Sequence, residues 1–351
     1  MSSIHTDSPR GANAIRATEL RTISFSALAR DNTAAIAEVF EAGFQDGFFY
    51  LDLRDAETQP LLDSIEELYQ LSETLFDSDQ KELMKYDLDI IGPSKIDGYK
   101  PAGRNTGVAS GKQDGFEIYL IPTNGLLSLD ALYPLQCPGA LHNKLSLITY
   151  VAEKAHHIGN VILAKLSSML QPQLPIALQE HHRYGQPSTS ALGLLKYPPT
   201  SRTEDHRLGQ IAHTDVGSIT VLFNRLGGLQ VLEESGEWAF VEPKIGHAVI
   251  NIGDSLRFLS GKALRSSLHR VVPHPTTEFR PRYSIAYFMR PEFDAEFEDE
   301  EGAHWTGIGW HTRKFAVFRA TAEDQKKDSV LTGRKGYLGL WENVQDTEEK
   351  S

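Results

Sequence analysis

The chain has 351 residues, 40% of them hydrophobic, and a formal net charge of −12. That length and apolar share allow a full core in one large domain or two, while the acidic balance argues against nucleic acid as a partner, because duplex binding rests on clustered Lys and Arg. The single cysteine, Cys137, permits no intramolecular disulfide, and no run approaches the roughly 20 apolar residues of a membrane span, so the expectation is a cytoplasmic protein with no membrane partner.

Residues 1–18 read as a flexible leader, polar and interrupted by Pro9 and Gly11. They contain a first HTD tripeptide, His5 to Asp7, with nothing around it to hold two side chains in a fixed orientation. Residues 19–140 read as a mixed α/β region. In "DNTAAIAEVFEAGFQDG", Asp31 or Asn32 caps a helix with Ile36, Val39 and Phe40 at helical spacing, and Gly47 ends it. "FFYLDL" follows as a buried strand and "QPLLDSIEELYQLSETLF" as a second helix. The Gly-rich "GYKPAGRNTGVASGKQDGFEIYLIP" ends on an apolar strand. Within 141–186, "LHNKLSLITYVAEKAHHIGNVILAKLSSMLQ" is one long amphipathic helix supporting what comes next. Its His156 and His157 point about 100° apart, so they do not chelate together; His181 and His182 are read the same way.

From 187 to 291 the period changes to two. "SALGLLKYPP", "GQIAHTDVG", "SITVLFN", "GLQVLEES", "EWAFVEP", "HAVINIG", "SSLHRVVP" and "RYSIAYFMR" are short strands separated by turn residues and by no long helix. That pattern predicts a jelly roll, or double-stranded β-helix, and a fold that is mainly β with α additions. Residues 292–351 begin acidic, form a helix around "WHTRKFAVFRATAEDQKK" and end in a charged tail.

The second HTD lies inside the jelly-roll region. Residues i and i+2 of a strand share a face, so His213 and Asp215 both face the interior, Cα atoms about 7 Å apart, with Thr214 turned away. His269, 54 residues beyond Asp215, supplies a third ligand from a late strand. Two His and one carboxylate on one side of an ion suit non-haem Fe(II), with positions left for a co-substrate and O₂. His274, beyond Pro273, reads as a surface residue. Arg282 and Ser284 share a face of the last strand, and an Arg with a hydroxyl in a barrel interior fits a carboxylate; the alternative is a structural salt bridge. A decoy, Arg265 and Ser267, precedes the His269 strand.

HTD, then His269, then R-Y-S in this order resembles the iron(II)- and 2-oxoglutarate-dependent dioxygenases, in the isopenicillin N synthase-like branch. "ISFSAL", "AGFQDGFFYL" and "GYKPAGRNTG" resemble that branch's leader, so the resemblance spans about residues 20 to 320. It implies that His213, Asp215 and His269 bind iron, that Arg282 and Ser284 hold the distal carboxylate of 2-oxoglutarate, and that Tyr197 adds a hydrogen bond there. The chain departs from the pattern at Leu195, where many relatives carry Asn, and in a longer gap between His269 and Arg282. The implied reaction consumes O₂ and 2-oxoglutarate, with ascorbate as a candidate reductant, releases succinate and CO₂, and hydroxylates, desaturates or epoxidises a small organic molecule. Asp215 argues against halogenation, because family halogenases lack that carboxylate. "LLKYPP" and "WHTRKF" resemble fungal secondary-metabolism members. The alternatives are an iron oxidase that does not use 2-oxoglutarate, a zinc enzyme on the same three ligands, and a non-catalytic jelly-roll module. Phe116, Tyr119, Phe288 and Trp310 are candidate pocket residues, each with ordinary core as the plainer reading, and a monomer is the expected state.

Overall fold

The computed structural model describes residues 15–332 apart from 93, 107–112, 133, 172, 200–208, 278 and 328; His5, Asp7 and the charged tail lie outside them. Its strands, in chain order, are β1 Thr22–Ser24, β2 Phe48–Asp52, β3 Gly98–Lys100, β4 Glu117–Pro122, β5 Ala191–Tyr197, β6 Gln210–His213, β7 Ile219–Asn224, β8 Leu229–Leu232, β9 Trp238–Phe240, β10 His247–Ile252, β11 His269–Val271, β12 Arg282–Met289, β13 Glu296–Glu298 and β14 His304–Thr306. Each of the eight strand segments read between 187 and 291 contains one of β5 to β12. Two sheets face each other, ordered β1-β2-β10-β7-β12-β5-β4-β3 and β6-β11-β8-β9, and together form the double-stranded β-helix. The fold is mainly β with helices added outside. Strands from the first 140 residues extend the large sheet at both ends, with β2 on β10 and β4 on β5.

The period of two explains how one strand serves two cores. Along β12, Ile285, Tyr287 and Met289 enter the core beneath the helices, while Ala286 and Phe288 turn into the barrel. The helix-facing layer is closed by α1 Thr33–Glu41, α2 Gln59–Phe76 and α3 Leu145–Leu170. Asn32 caps α1 by accepting from the Ala35 amide at 3.0 Å, and Gly47, at φ 67°, turns the chain into β2. Buried Ile148, Val151, Ala155, Ile158, Ile162 and Leu166 form the apolar stripe of α3. Each large side chain so buried is worth roughly 1.5–3 kcal/mol, which fixes the sheet that carries the site.

Three segments differ from expectation. The 141–171 helix is broken at Asn143–Lys144, after a short turn of helix over Gly139–His142. The acidic stretch after 292 contains the hairpin β13–β14: Phe297 packs inward while Glu296 and Glu298 face out, so charge conceals a period of two. The C-terminal helix is two helices, Gly307–Phe318 and Ala322–Lys327, because the Thr321 hydroxyl accepts from the Asp324 amide and starts a new N-terminus. No described helix is long and apolar enough to cross a membrane.

Candidate metal and co-substrate site

β6 and β11 are antiparallel neighbours with His213 opposite His269. β6 ends at His213, so Asp215 sits in the following loop and not on the strand, yet its side chain turns back to the same place. The ligand atoms of His213, Asp215 and His269 lie within 4.8 Å of one another. Nε2 of His213 is 3.5 Å and Nε2 of His269 is 3.7 Å from Oδ1 of Asp215.

The surroundings fix which atoms face inward. Nδ1 of His213 donates to the Ile211 carbonyl at 2.7 Å and Nδ1 of His269 to the Ser267 carbonyl at 3.1 Å, so both rings present Nε2. Oδ2 of Asp215 accepts from the Thr220 hydroxyl at 2.5 Å and the Asn251 amide at 2.7 Å, which leaves Oδ1 toward the histidines. Burial pushes the His269 imidazole down to about 4, so it is neutral at neutral pH. Burial also works to raise the Asp215 carboxyl, but the contacts from His213, His269 and Asn251 outweigh it and hold the group well below the usual carboxylate range. An ionised carboxylate oxygen and imidazole nitrogens converging at this distance are a donor set for one cation, and two N with one O suit Fe(II). Phe48 and Phe318 pack edge-on against His269 and His213, with centroids 5.3 Å apart in each case.

Thr214 is turned away from the site, although it too lies beyond the end of β6. Its hydroxyl enters a buried network with Asp254 and Lys314. Asp254 begins the short helix α4 Asp254–Leu259, whose first amides hold the loop: Asp254 donates to the Asp215 carbonyl at 2.8 Å and Ser255 to Gly217 at 3.0 Å. Gly253 permits this approach, since a Cβ there would stand 2.3 Å from the Gly217 carbonyl oxygen.

Arg282, Ser284 and Tyr197 also come together. Arg282 lies opposite Tyr197 on β5, with its guanidinium 4.9 Å from the Tyr197 ring centroid. Nε of Arg282 donates to the Gly227 carbonyl at 3.0 Å, and no carboxylate of the described residues lies within ion-pair distance of it, against the salt-bridge reading. The Ser284 hydroxyl is buried and has no hydrogen-bond partner. A buried guanidinium beside an unused hydroxyl fits a carboxylate ligand. Burial pushes the Tyr197 hydroxyl up to about 12, against the opposing pull of Arg282, so it stays protonated as a donor. Leu195 lies opposite Ser284 and lines the cavity.

Other sequence candidates divide. Phe116 and Phe288 line the cavity that reaches His213 and Asp215, whereas Tyr119 and Trp310 are core. The decoy pair contacts the leader region: Arg265 donates to the Gln45 carbonyl and Ser267 to that of Asp46. His156 bonds Tyr287 and the His182 carbonyl, and His182 bonds Ser218, so they are structural. His274 is not a surface residue. It is 6% exposed, because the turn after Pro273 folds over Gly227, where a Cβ would meet its ring at 2.7 Å, and its Nε2 reaches Glu242 at 3.0 Å. Sequence reading also passed over Thr220 and Asn251. Their signal is parity: each is polar at an inward position of its strand, and the two are register partners.

Known proteins resemble this chain in sequence and in fold. The family model of the 2OG-Fe(II) oxygenase superfamily matches residues 183–291. The chain is 37% identical to a 2-oxoglutarate-dependent dioxygenase of Glarea lozoyensis, over 90% of this chain and 93% of the relative. It is 34% identical to another from Gibberella zeae, over 91% and 93%. Among solved structures, a full-length Neurospora crassa protein in complex with alpha-KG superposes with a TM-score of 0.69 at 23% identity, over 87% of this chain and 98% of that one. A rice dioxygenase for auxin oxidation shares the fold at a TM-score of 0.62 and 21% identity, over 85% and 96%.

Proposed function

The chain belongs to the 2OG-Fe(II) oxygenase superfamily, and from that premise we propose how its residues divide the work. The protein is an Fe(II)- and 2-oxoglutarate-dependent dioxygenase acting on a small organic substrate. When bound, the iron supplies the oxidising chemistry, with O₂ and 2-oxoglutarate consumed and succinate and CO₂ released.

His213, Asp215 and His269 hold the iron, His213 and His269 through Nε2 and Asp215 through Oδ1. The observation that carries this is the convergence of those three atoms while their other polar atoms are already hydrogen-bonded. Arg282 and Ser284 hold the distal carboxylate of 2-oxoglutarate, supported by the unused Ser284 hydroxyl, and the Tyr197 hydroxyl adds a hydrogen bond there, its ring lying against the Arg282 guanidinium. Phe116, Ile118, Phe288 and Phe315 keep water from the reacting face. Hydroxylation is the expected outcome, on a secondary metabolite, with desaturation and epoxidation open to the same site. We further propose a cytoplasmic monomer in which 187–291 is the catalytic core, 19–140 the leader region, 141–186 the helical support of the barrel and 292–351 the C-terminal cover, with ascorbate as a reductant.

The test is an anaerobic titration of metal-free protein with Fe(II) and then 2-oxoglutarate, followed in the visible. A weak charge-transfer band that needs both additions and is missing in His269→Ala supports the assignment. Tight iron binding with no band would favour an oxidase that does not use 2-oxoglutarate.

A further inference from the structure

The inward face of β12 continues past the end of the strand: Arg282, Ser284, Ala286 and Phe288 are followed at the same parity by Arg290. Arg290 is 5% exposed and lines the cavity that holds His213 and Asp215. Its Nη1 donates to the Thr189 carbonyl, while its Nε is buried and bonds nothing. Nearby carboxylates are engaged elsewhere: Glu292 pairs with Arg183 at 2.6 Å, and Asp215 is held by Thr220 and Asn251. Gly217 makes the room, since a Cβ there would lie 2.6 Å from Cγ of Arg290. The rings of Phe288 and Phe315, 5.4 and 5.6 Å from the guanidinium, keep its plane in place.

The other lysines and arginines of the described lining have carboxylates of their own. Lys100 pairs with Asp114 at 2.7 Å, and Lys95 and Arg319 share Asp89. Arg290 is therefore the described cation of this lining with no carboxylate in ion-pair contact: Asp215 acts on it only through space and is itself committed to the cluster with His213 and His269, in a cavity whose walls are otherwise largely apolar. A buried guanidinium with no directly paired anion is costly, and a ligand's carboxylate offsets that cost. Resting on the oxygenase reading above, we propose that Arg290 anchors the substrate through a carboxylate, and that the substrate class is a small, mainly apolar acid with an aromatic-sized body. The two arginines of β12 then have separate tasks: Arg282 takes the co-substrate and Arg290 the substrate.

The experiment uses full-length protein held anaerobically with Fe(II) and saturating 2-oxoglutarate, which blocks the Arg282 site. Phenylacetate, 3-phenylpropionate, 4-phenylbutyrate and indole-3-acetate are each compared with their primary amides by calorimetry. At least one acid binds about tenfold or more tightly than its amide. Arg290→Gln abolishes that preference, Arg290→Lys keeps part of it, and 2-oxoglutarate affinity and the charge-transfer band are unchanged in both. No acid preferred over its amide, or a preference intact in R290Q, overturns the proposal. So does a large loss of 2-oxoglutarate affinity in R290Q, which would put Arg290 on the co-substrate. Should R290Q not fold, an undiminished preference in R290K overturns it and a weakened one supports it. Failure of the oxygenase reading is seen separately, as a missing band in the unsubstituted protein.

Discussion

Lys314 and Asp254 form an ion pair buried beneath the metal-facing loop, with side chains 0% and 1% exposed. Thr214 sits between them, its hydroxyl accepting from Lys314 at 2.6 Å and donating to Asp254 at 3.0 Å. The other carboxylate oxygen of Asp254 accepts from Ser266 at 2.8 Å. The pair thus ties the helix Gly307–Phe318, α4 and the HTD loop at one point. Neither charge reaches water, so each depends on the other.

Removing one partner leaves the other charged and buried. Lys314→Met and Asp254→Asn should each destabilise the metal-free protein by about 3–5 kcal/mol. They should also weaken Fe(II) binding, because the Asp215 loop loses its support. Urea unfolding and iron titration check this. A loss below about 1 kcal/mol in both variants would mean that the pair is solvated in solution.

The hold on Asp215 can be tested apart from the ligand itself. Asn251→Ala and Thr220→Val leave all three donor atoms in place, and each removes one of the two hydrogen bonds to Oδ2. Fe(II) affinity should fall by about 10–100-fold in each, with little change in unfolding midpoint. Asp215→Ala should abolish turnover altogether. Affinity unchanged in both supporting variants would show that backbone placement alone orients the carboxylate.

Much of this was legible in the sequence, because burial imposes period. Arg282 and Ser284 at i and i+2 needed only the rule that alternate residues share a face; the same rule paired His213 with Asp215, although Asp215 lies beyond the end of β6 and reaches the site from the loop. The period of two also outlined β5 to β12. What was hidden depended on the partner in space. Thr220 and Asn251 look like ordinary strand polar residues until β7 and β10 are laid side by side. His274 follows a proline and reads as exposed; its burial comes from the missing side chain of Gly227, 47 residues earlier. β13 was masked by glutamates that satisfy the solvent side of an alternating pattern. Lys314 sits in a charged helix segment, where nothing local reveals that its face is covered.

Ser284 offers a clean reading of the co-substrate site. Its hydroxyl is buried and unpaired without a ligand, so Ser284→Ala should leave the metal-free protein as stable or slightly more so. The same change removes one donor to a bound carboxylate and should weaken 2-oxoglutarate by a few-fold to about tenfold. Arg282→Met should weaken it much further. Thermal unfolding with and without 2-oxoglutarate, in the presence of Mn(II), separates the two effects. A stability loss in S284A without any change in affinity would assign the serine to the fold alone.

Acid should destabilise the fold through two buried histidines. His156 and His182 are packed behind the sheet with Tyr287, Ser218 and Tyr184. Burial pushes His156 down to about 4 and His182 to about 3, from an ordinary value of 6.5. Because the folded values are depressed, the folded protein keeps both rings neutral while the unfolded chain takes up protons as pH falls below 6.5. Their contribution is therefore fully present above that value and lost below it, down to about 4 for His156 and about 3 for His182, with a slope of up to about 1.4 kcal/mol per pH unit for each histidine. Urea unfolding of metal-free protein across this window should show the slope, and His182→Gln should reduce it by one histidine's share. His269, also pushed down by burial, contributes equally to both proteins and cancels in the difference. An identical slope in H182Q would mean that His182 takes up its proton without leaving the folded state.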